Sequence, residues 1–289
     1  QTIITELTRQ DVISIVAFND RASTVIEAQH VTDIMTLRAR VGMIEPKGGT
    51  EIFQGLEAGV RENRKHLSPE MVNHIILLTD GQTYGDEEQC FHLAKEAAAE
   101  GISISAMGLG TEWNDKFLDQ LVAFSGGTST YIKTVNMVND FMEQQLRNLS
   151  NAFAERMTLS IVTSPDVKIE MAFKISPHPQ PLTFENGAIP LSSLQAKRPI
   201  AVLLQMQLPA SIEGDFINIG HFVANGDIMI NKAQTFYIAA DMALTVTDNT
   251  VEDSPPASIV DALSKLTLYR LQEKAQLALE DGDVEEATR

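Results

Sequence analysis

Two oxygen-bearing side chains stand where the pattern of this chain could put them to chemical use. Asp80 closes the run NHIILLTDG (residues 73–81), in which apolar and β-favouring residues lead into Thr79, Asp80 and a glycine. A carboxylate at the end of a buried segment needs a partner or a metal, or it must stand at an exposed strand end. Thr50 follows Gly48 and Gly49 and precedes the helical pattern EIFQGLEAGV. A threonine hydroxyl and a carboxylate oxygen are hard donors suited to Mg²⁺ or Mn²⁺. The two glycines let the backbone turn tightly enough to aim the hydroxyl. Each residue also has a plainer role open to it: Asp80 can begin a turn, and Thr50 can cap the helix that follows.

Other reactive residues offer less. Asp86 is a second carboxylate in the Asp80 loop, and Lys47 is the basic residue nearest Thr50. Together they allow a Mg²⁺-dependent phosphohydrolase or phosphotransferase as the enzymatic alternative. No Lys or Arg accompanies the Asp80 loop to hold a phosphate, so this reading ranks below binding. His66, His74 and His92 are scattered without metal-ligand spacing and read as surface or strand-end residues. His178 and His221 have no acidic or cysteine company in sequence. Cys90, beside Phe91, reads as a small buried hydrophobe. GLGT (residues 108–111) lacks the full G-x-G-x-x-G of a dinucleotide loop.

The elements that must position Thr50 and Asp80 follow from hydrophobic periodicity. VISIVAF (12–18) is β-branched and continuous, like a strand covered on both faces. STVIEAQ (23–29) follows at hairpin distance as an antiparallel edge strand. Helical spacing then marks 31–44, 51–63, 85–101, 115–127 and 137–153, alternating with the strands HIILL (74–78), ISISAMGLG (102–110) and TSTYI (128–132). Strands separated by helices imply a doubly wound, mostly parallel Rossmann-like α/β sheet. In such sheets ligands bind beyond the carboxyl ends of the strands, where Asp80 and the Thr50 loop both lie. After residue 153 the pattern changes to strand-like runs without helices, suggesting an antiparallel β-sandwich over 154–250. A linker, VEDSPPAS (251–258), leads to a C-terminal helix and a turn at 281–283. VEEATR then looks like the start of a second helix, so the expected organisation is 1–153, 154–250 and 251–289, continuing beyond the C-terminus.

In order along the chain, VISIVAFNDRA, GGTEIFQGL, IILLTDGQ, ISISAMGLG and LVAFSGGTSTYI resemble a von Willebrand factor A domain over about residues 1–148. The resemblance implies a bacterial-type binding protein with a metal-ion-dependent adhesion site at the top of the sheet. It maps that site's threonine and aspartate onto Thr50 and Asp80, with an open metal position filled by a partner's carboxylate. The family's Asp-x-Ser-x-Ser loop and the strand before it are not found here, and QTIITELTRQ looks like the tail of the first helix. In the 3-2-1-4-5-6 order that strand is central, and without it two inner strand edges stand unpaired. The expectation is therefore that the sequence begins inside the domain, or else that another polypeptide supplies the strand. A site with two protein ligands should hold Mg²⁺ weakly. A scaffold module with a degenerate metal site is the remaining alternative.

Bulk properties narrow the partners. The 289 residues carry a net charge of −17, which argues against a nucleic-acid backbone as the main partner, since that contact needs Lys and Arg. No apolar run approaches the roughly 18 residues of a membrane span. One cysteine rules out an internal disulfide and fits a reducing compartment such as the cytoplasm.

Overall fold

A computed structural model describes residues 7–45, 48–81, 83, 85–109, 115–132, 135–177, 179–209, 215–229, 234–247 and 254–280. Lys47, the end of GLGT, His178, part of the linker, most of the opening segment and everything after residue 280 lie outside them. The chain divides into two compact units. One comprises Gln1–Leu159, Ile189–Lys197 and Ala224–Tyr237; the other comprises Ser160–Ala188, Arg198–Val223 and Ile238–Arg289.

The first unit opens with a hairpin of β1 (Val12–Phe18) and β2 (Ala22–His30), paired antiparallel. Helix α1 (Ile34–Val41) starts where the Asp33 carboxylate accepts the Thr36 N–H, a side-chain N-cap. Then come α2 (Ile52–Arg64), β3 (Asn73–Thr79), α3 (Glu87–Ala99), β4 (Ile102–Leu109), α4 (Asp115–Ala123), β5 (Ser129–Ile132) and α5 (Val135–Ser150). Strands β3, β4 and β5 form a parallel sheet in that order, with Asn73 opposite Ile102 and Thr79 opposite Gly108. The alternation of helix and parallel strand expected from the sequence is what the fold contains.

Its core lies between this sheet and helices α2, α3 and α4. Ile52, Leu56 and Val60 on α2 meet Leu77 of β3, Cys90, Leu93 and Ala97 of α3, Ile104 of β4, and Leu118 and Leu121 of α4. Spacings of three and four residues put each helix's apolar set on one stripe. Cys90 is fully buried and burial pushes its thiol up, so it packs as a hydrophobe and is not a nucleophile.

Two expectations of full burial need correction. Leu78 is 40% exposed, Ile75 and Ile76 are half-buried, and every residue of β1 is half-buried. Among the described residues β1 pairs only with β2, and β3 only with β4, in two separate sheets. A strand with a neighbour on one side only has less cover on its faces and an uncovered edge. Helix α2 packs against β1, β2 and β3.

After α5 the chain forms β6 (Ala152–Thr163), β7 (Lys168–Ser176), β8 (Gln180–Leu182), β9 (Ala188–Gln195), β10 (Ala201–Gln207), β11 (Phe216–Ile228) and β12 (Gln234–Thr245). They lie in two antiparallel sheets, ordered β10-β7-β8 and β12-β11-β6-β9. The sequence pattern carried the helix of α5 through Phe153 and missed β6. Adjacent Glu155 and Arg156 interrupt any two-residue alternation there, so the strand has no clean signature. Strand β12 is exposed along almost its whole length, including Tyr237, Ile238, Met242 and Leu244.

The closing helix α6 (Ala257–Glu280) buries Ala262 and Leu266 against Phe173 and Ile175 of β7. The rings of Phe173 and Tyr269 meet edge-on with centroids 5.2 Å apart. Among the described residues no helix is long and apolar enough to cross a membrane.

Candidate functional site

The Thr50 loop and the Asp80 loop come together at one end of the parallel sheet. Asp80 directly follows β3 and is exposed; Thr50 directly precedes Glu51, the N-cap residue of α2. A β-carbon added at Gly81 would lie 2.7 Å from Thr50 Oγ1. The missing side chain at Gly81 is thus the space into which the Thr50 hydroxyl reaches, beside the residue that follows Asp80. Thr79 fixes that turn by donating its hydroxyl to Gly81 O at 3.0 Å. Gly48 has φ +80°, a left-handed conformation that glycine adopts without strain.

Thr50 is not the cap of α2. The amide of Ile52 donates to Thr83 Oγ1 at 3.0 Å, and that of Phe53 donates to Asp86 Oδ2 at 2.9 Å. The Thr83 hydroxyl donates in turn to Asp86 Oδ1. Both Asp86 oxygens are therefore engaged at the start of α2, and the carboxylate considered for phosphoryl chemistry is committed to holding a helix end. Nothing local in the sequence signals this, because Asp86 immediately precedes its own helix, α3, and reads as the cap of that one. On the other side of Thr50, the turn between β1 and β2 supplies two anchors. Asp20 Oδ1 accepts the Gly49 N–H at 3.0 Å, and Asn19 O accepts the Glu51 N–H at 2.9 Å. Neither residue stands out in the sequence.

The donor set of Thr50 and Asp80, two hard oxygens, fits a small divalent cation. Among the described residues no group of three or more His, Cys, Asp and Glu is arranged to hold a metal. The described histidines have other neighbours. His66 Nε2 lies 3.2 Å from Ala28 O, and His92 pairs with Glu96. His221, which has no acidic neighbour in sequence, meets Asp241 across the β11–β12 pair at 2.7 Å. His74 lies at the start of β3, as the strand-end reading has it, but is not a surface group. Its Nε2 is buried without a partner among the described residues, and burial pushes the ring down to about 4.

A second buried titratable group lies in β6. Glu155 is 3% exposed and its Oε1 has no hydrogen-bond partner among the described residues. Burial pushes its carboxyl up to about 7, against the partial pull of the neighbouring Arg156 charge. The Arg156 guanidinium itself pairs with Asp227 at 2.7 Å and donates to Pro69 O at 2.8 Å.

Comparison with known proteins agrees with this architecture. The family model for the von Willebrand factor type A domain matches residues 1–152, more than half of the chain, and the chain belongs to that family. Domains of this family commonly serve as protein-interaction modules. A second model, the Sll0103-like C-terminal alpha-helical domain, matches residues 257–289. Uncharacterized protein sll0103 from Synechocystis sp. is 27% identical over 290 residues, covering 97% of this chain and 68% of its own length.

Among solved structures, von Willebrand factor type A from Catenulispora acidiphila superposes with a TM-score of 0.81 at 15% identity. That match covers 99% of this chain and 69% of the other. The ArnB paralog VWA2 from Sulfolobus acidocaldarius gives 0.52 at 16% identity, covering 100% and 70%. At these identities the likeness is one of fold.

Proposed function

We propose that this chain is a non-enzymatic protein-interaction module in which Thr50 and Asp80 contribute oxygen ligands to a Mg²⁺ site that takes a carboxylate of a partner protein. The observation that carries the reading is the reach of the Thr50 hydroxyl into the space beside Gly81. It brings both hard donors to the strand ends where an α/β sheet presents ligands. When bound, the ion supplies an open coordination position. The protein's own −17 charge repels an acidic partner at long range, and a local divalent charge offsets that repulsion at the point of contact. Two protein oxygens leave much of an octahedral shell to water, so affinity for the free ion is weak. The phosphohydrolase alternative loses support from the engagement of both Asp86 oxygens at α2.

Calorimetric titration with Mg²⁺ tests the site. Thr50→Ala is expected to weaken binding about tenfold or more, the scale seen when a metal site loses even a supporting group. Equal affinities in the two proteins would reject the assignment and leave the scaffold reading. A steady phosphatase activity that disappears in Asp80→Asn would overturn the non-enzymatic reading.

A further inference from the structure

We propose that Thr83 and Asp86 are positioning residues, a latch that ties the start of α2 to the Asp80 loop and so sets the separation of the Thr50 hydroxyl from the Asp80 carboxylate. This rests on the metal-site reading given above. The first amides of any helix lack intrahelical acceptors and must find them elsewhere. Here Glu51, at the N-cap, provides no side-chain cap. Asp86 occupies the N-cap position of α3 yet makes no side-chain bond to that helix; it serves α2 instead.

Thr83 is 5% exposed. Its hydroxyl therefore works in a water-poor setting, where a lost hydrogen bond costs more than at the surface. Thr50 precedes the latched Ile52 by two residues, and Asp80 precedes Thr83 by three. Movement of one loop against the other therefore has to break a buried bond. The Asn19–Asp20 turn anchors Gly49 and Glu51, whereas the latch bonds the start of α2 to the loop that carries Asp80.

The test uses Thr83→Val, which keeps the side-chain shape and removes the hydroxyl, with Thr83→Ser as the conservative rescue. Two readouts are taken well below any melting transition. The first is amide hydrogen exchange at Ile52 and Phe53 in metal-free protein; the second is Mg²⁺ affinity by calorimetry. In Thr83→Val the Ile52 amide should exchange about tenfold faster or more, and Mg²⁺ affinity should fall about tenfold, the usual effect of losing a group that orients a ligand. Thr83→Ser should keep both within about twofold of the parent.

Unchanged exchange at Ile52 would overturn the latch itself. Faster exchange with unchanged Mg²⁺ affinity, in a protein whose binding Thr50→Ala still weakens, would overturn the positioning role and leave the metal site standing. Parent protein that binds no Mg²⁺ would bring down the metal reading and this proposal with it. If Thr83→Val does not fold, Asp86→Ala is read the same way at Phe53, since it removes that acceptor and leaves Thr83 to serve Ile52.

Discussion

Replacing Gly127 with alanine is expected to destabilise the first unit by about 4 kcal/mol or more, the range reached when a substitution forces backbone apart in a packed interior. A β-carbon at this position would lie 1.8 Å from the carbonyl oxygen of Ile104 and 2.7 Å from its carbon. Both atoms belong to the backbone of β4, where Ile104 is fully buried, so no side chain can swing aside. The turn is laced to the same strand. Ser125 Oγ accepts the Ile104 N–H at 2.9 Å, and Thr128 O accepts the Ala106 N–H at 2.9 Å. Making room means lifting the turn and losing those bonds. A thermal melt followed by circular dichroism should show a midpoint roughly 10 °C lower. Gly59→Ala is the matched control. Its added carbon would meet Ile75 at an ordinary 3.9 Å, and in mid-helix the change should gain up to about 1 kcal/mol. A Gly127→Ala protein within 1 kcal/mol (about 3 °C) of the parent would show the close approach to be wrong.

Glu155→Gln is expected to stabilise the protein by about 3 kcal/mol above pH 7 and to change little below pH 4.5. In the unfolded chain the carboxyl gives up its proton near 4.5, but in the folded protein only near 7. Between those values the native state holds a proton that the unfolded state has lost. Its stability therefore falls as pH rises through that window, and the loss is complete above it. Glutamine never ionises and is exempt.

His74 acts in the opposite sense. Its ring stays neutral in the fold down to about 4 instead of 6.5, so the unfolded state binds more protons below 6.5 and stability rises with pH across 4 to 6.5. The two slopes oppose each other where the windows overlap. Urea melts at pH 4.5, 6 and 8 should give a difference between Glu155→Gln and parent that grows with pH. A difference that stays constant would mean the Glu155 carboxyl reaches water or a partner.

Much of this was legible in the sequence. Asp80 after an apolar run and Thr50 after paired glycines marked the two loops that the fold brings together, because strand ends and loop composition are local features. What was not legible depends on neighbours distant in the chain. Asp86 looks like the cap of α3 and serves α2, 33 residues back from it. His221 gains Asp241 only when β11 and β12 pair. The half-buried faces of β1 and β3 reflect which strands lie beside them, and an apolar run cannot report that. Strand β6 was hidden because Arg156 is accommodated by contacts with Asp227 and Pro69 that no window of sequence contains, while its neighbour Glu155 is buried with Oε1 unpartnered among the described residues.

The exposure of β12 has a colloidal consequence. Among the described residues this strand pairs only with β11, as the outermost member of its sheet, and it presents Ile238, Met242 and Leu244 on one side. Open edges with apolar side chains invite strand-to-strand association between molecules. The net charge of −17 opposes such association by mutual repulsion. Salt that shortens the Debye length to a few ångströms screens that repulsion at constant pH, where the protonation of buried groups such as His74 is unchanged. Light scattering should then rise while circular dichroism stays native, and Met242→Lys should delay the onset.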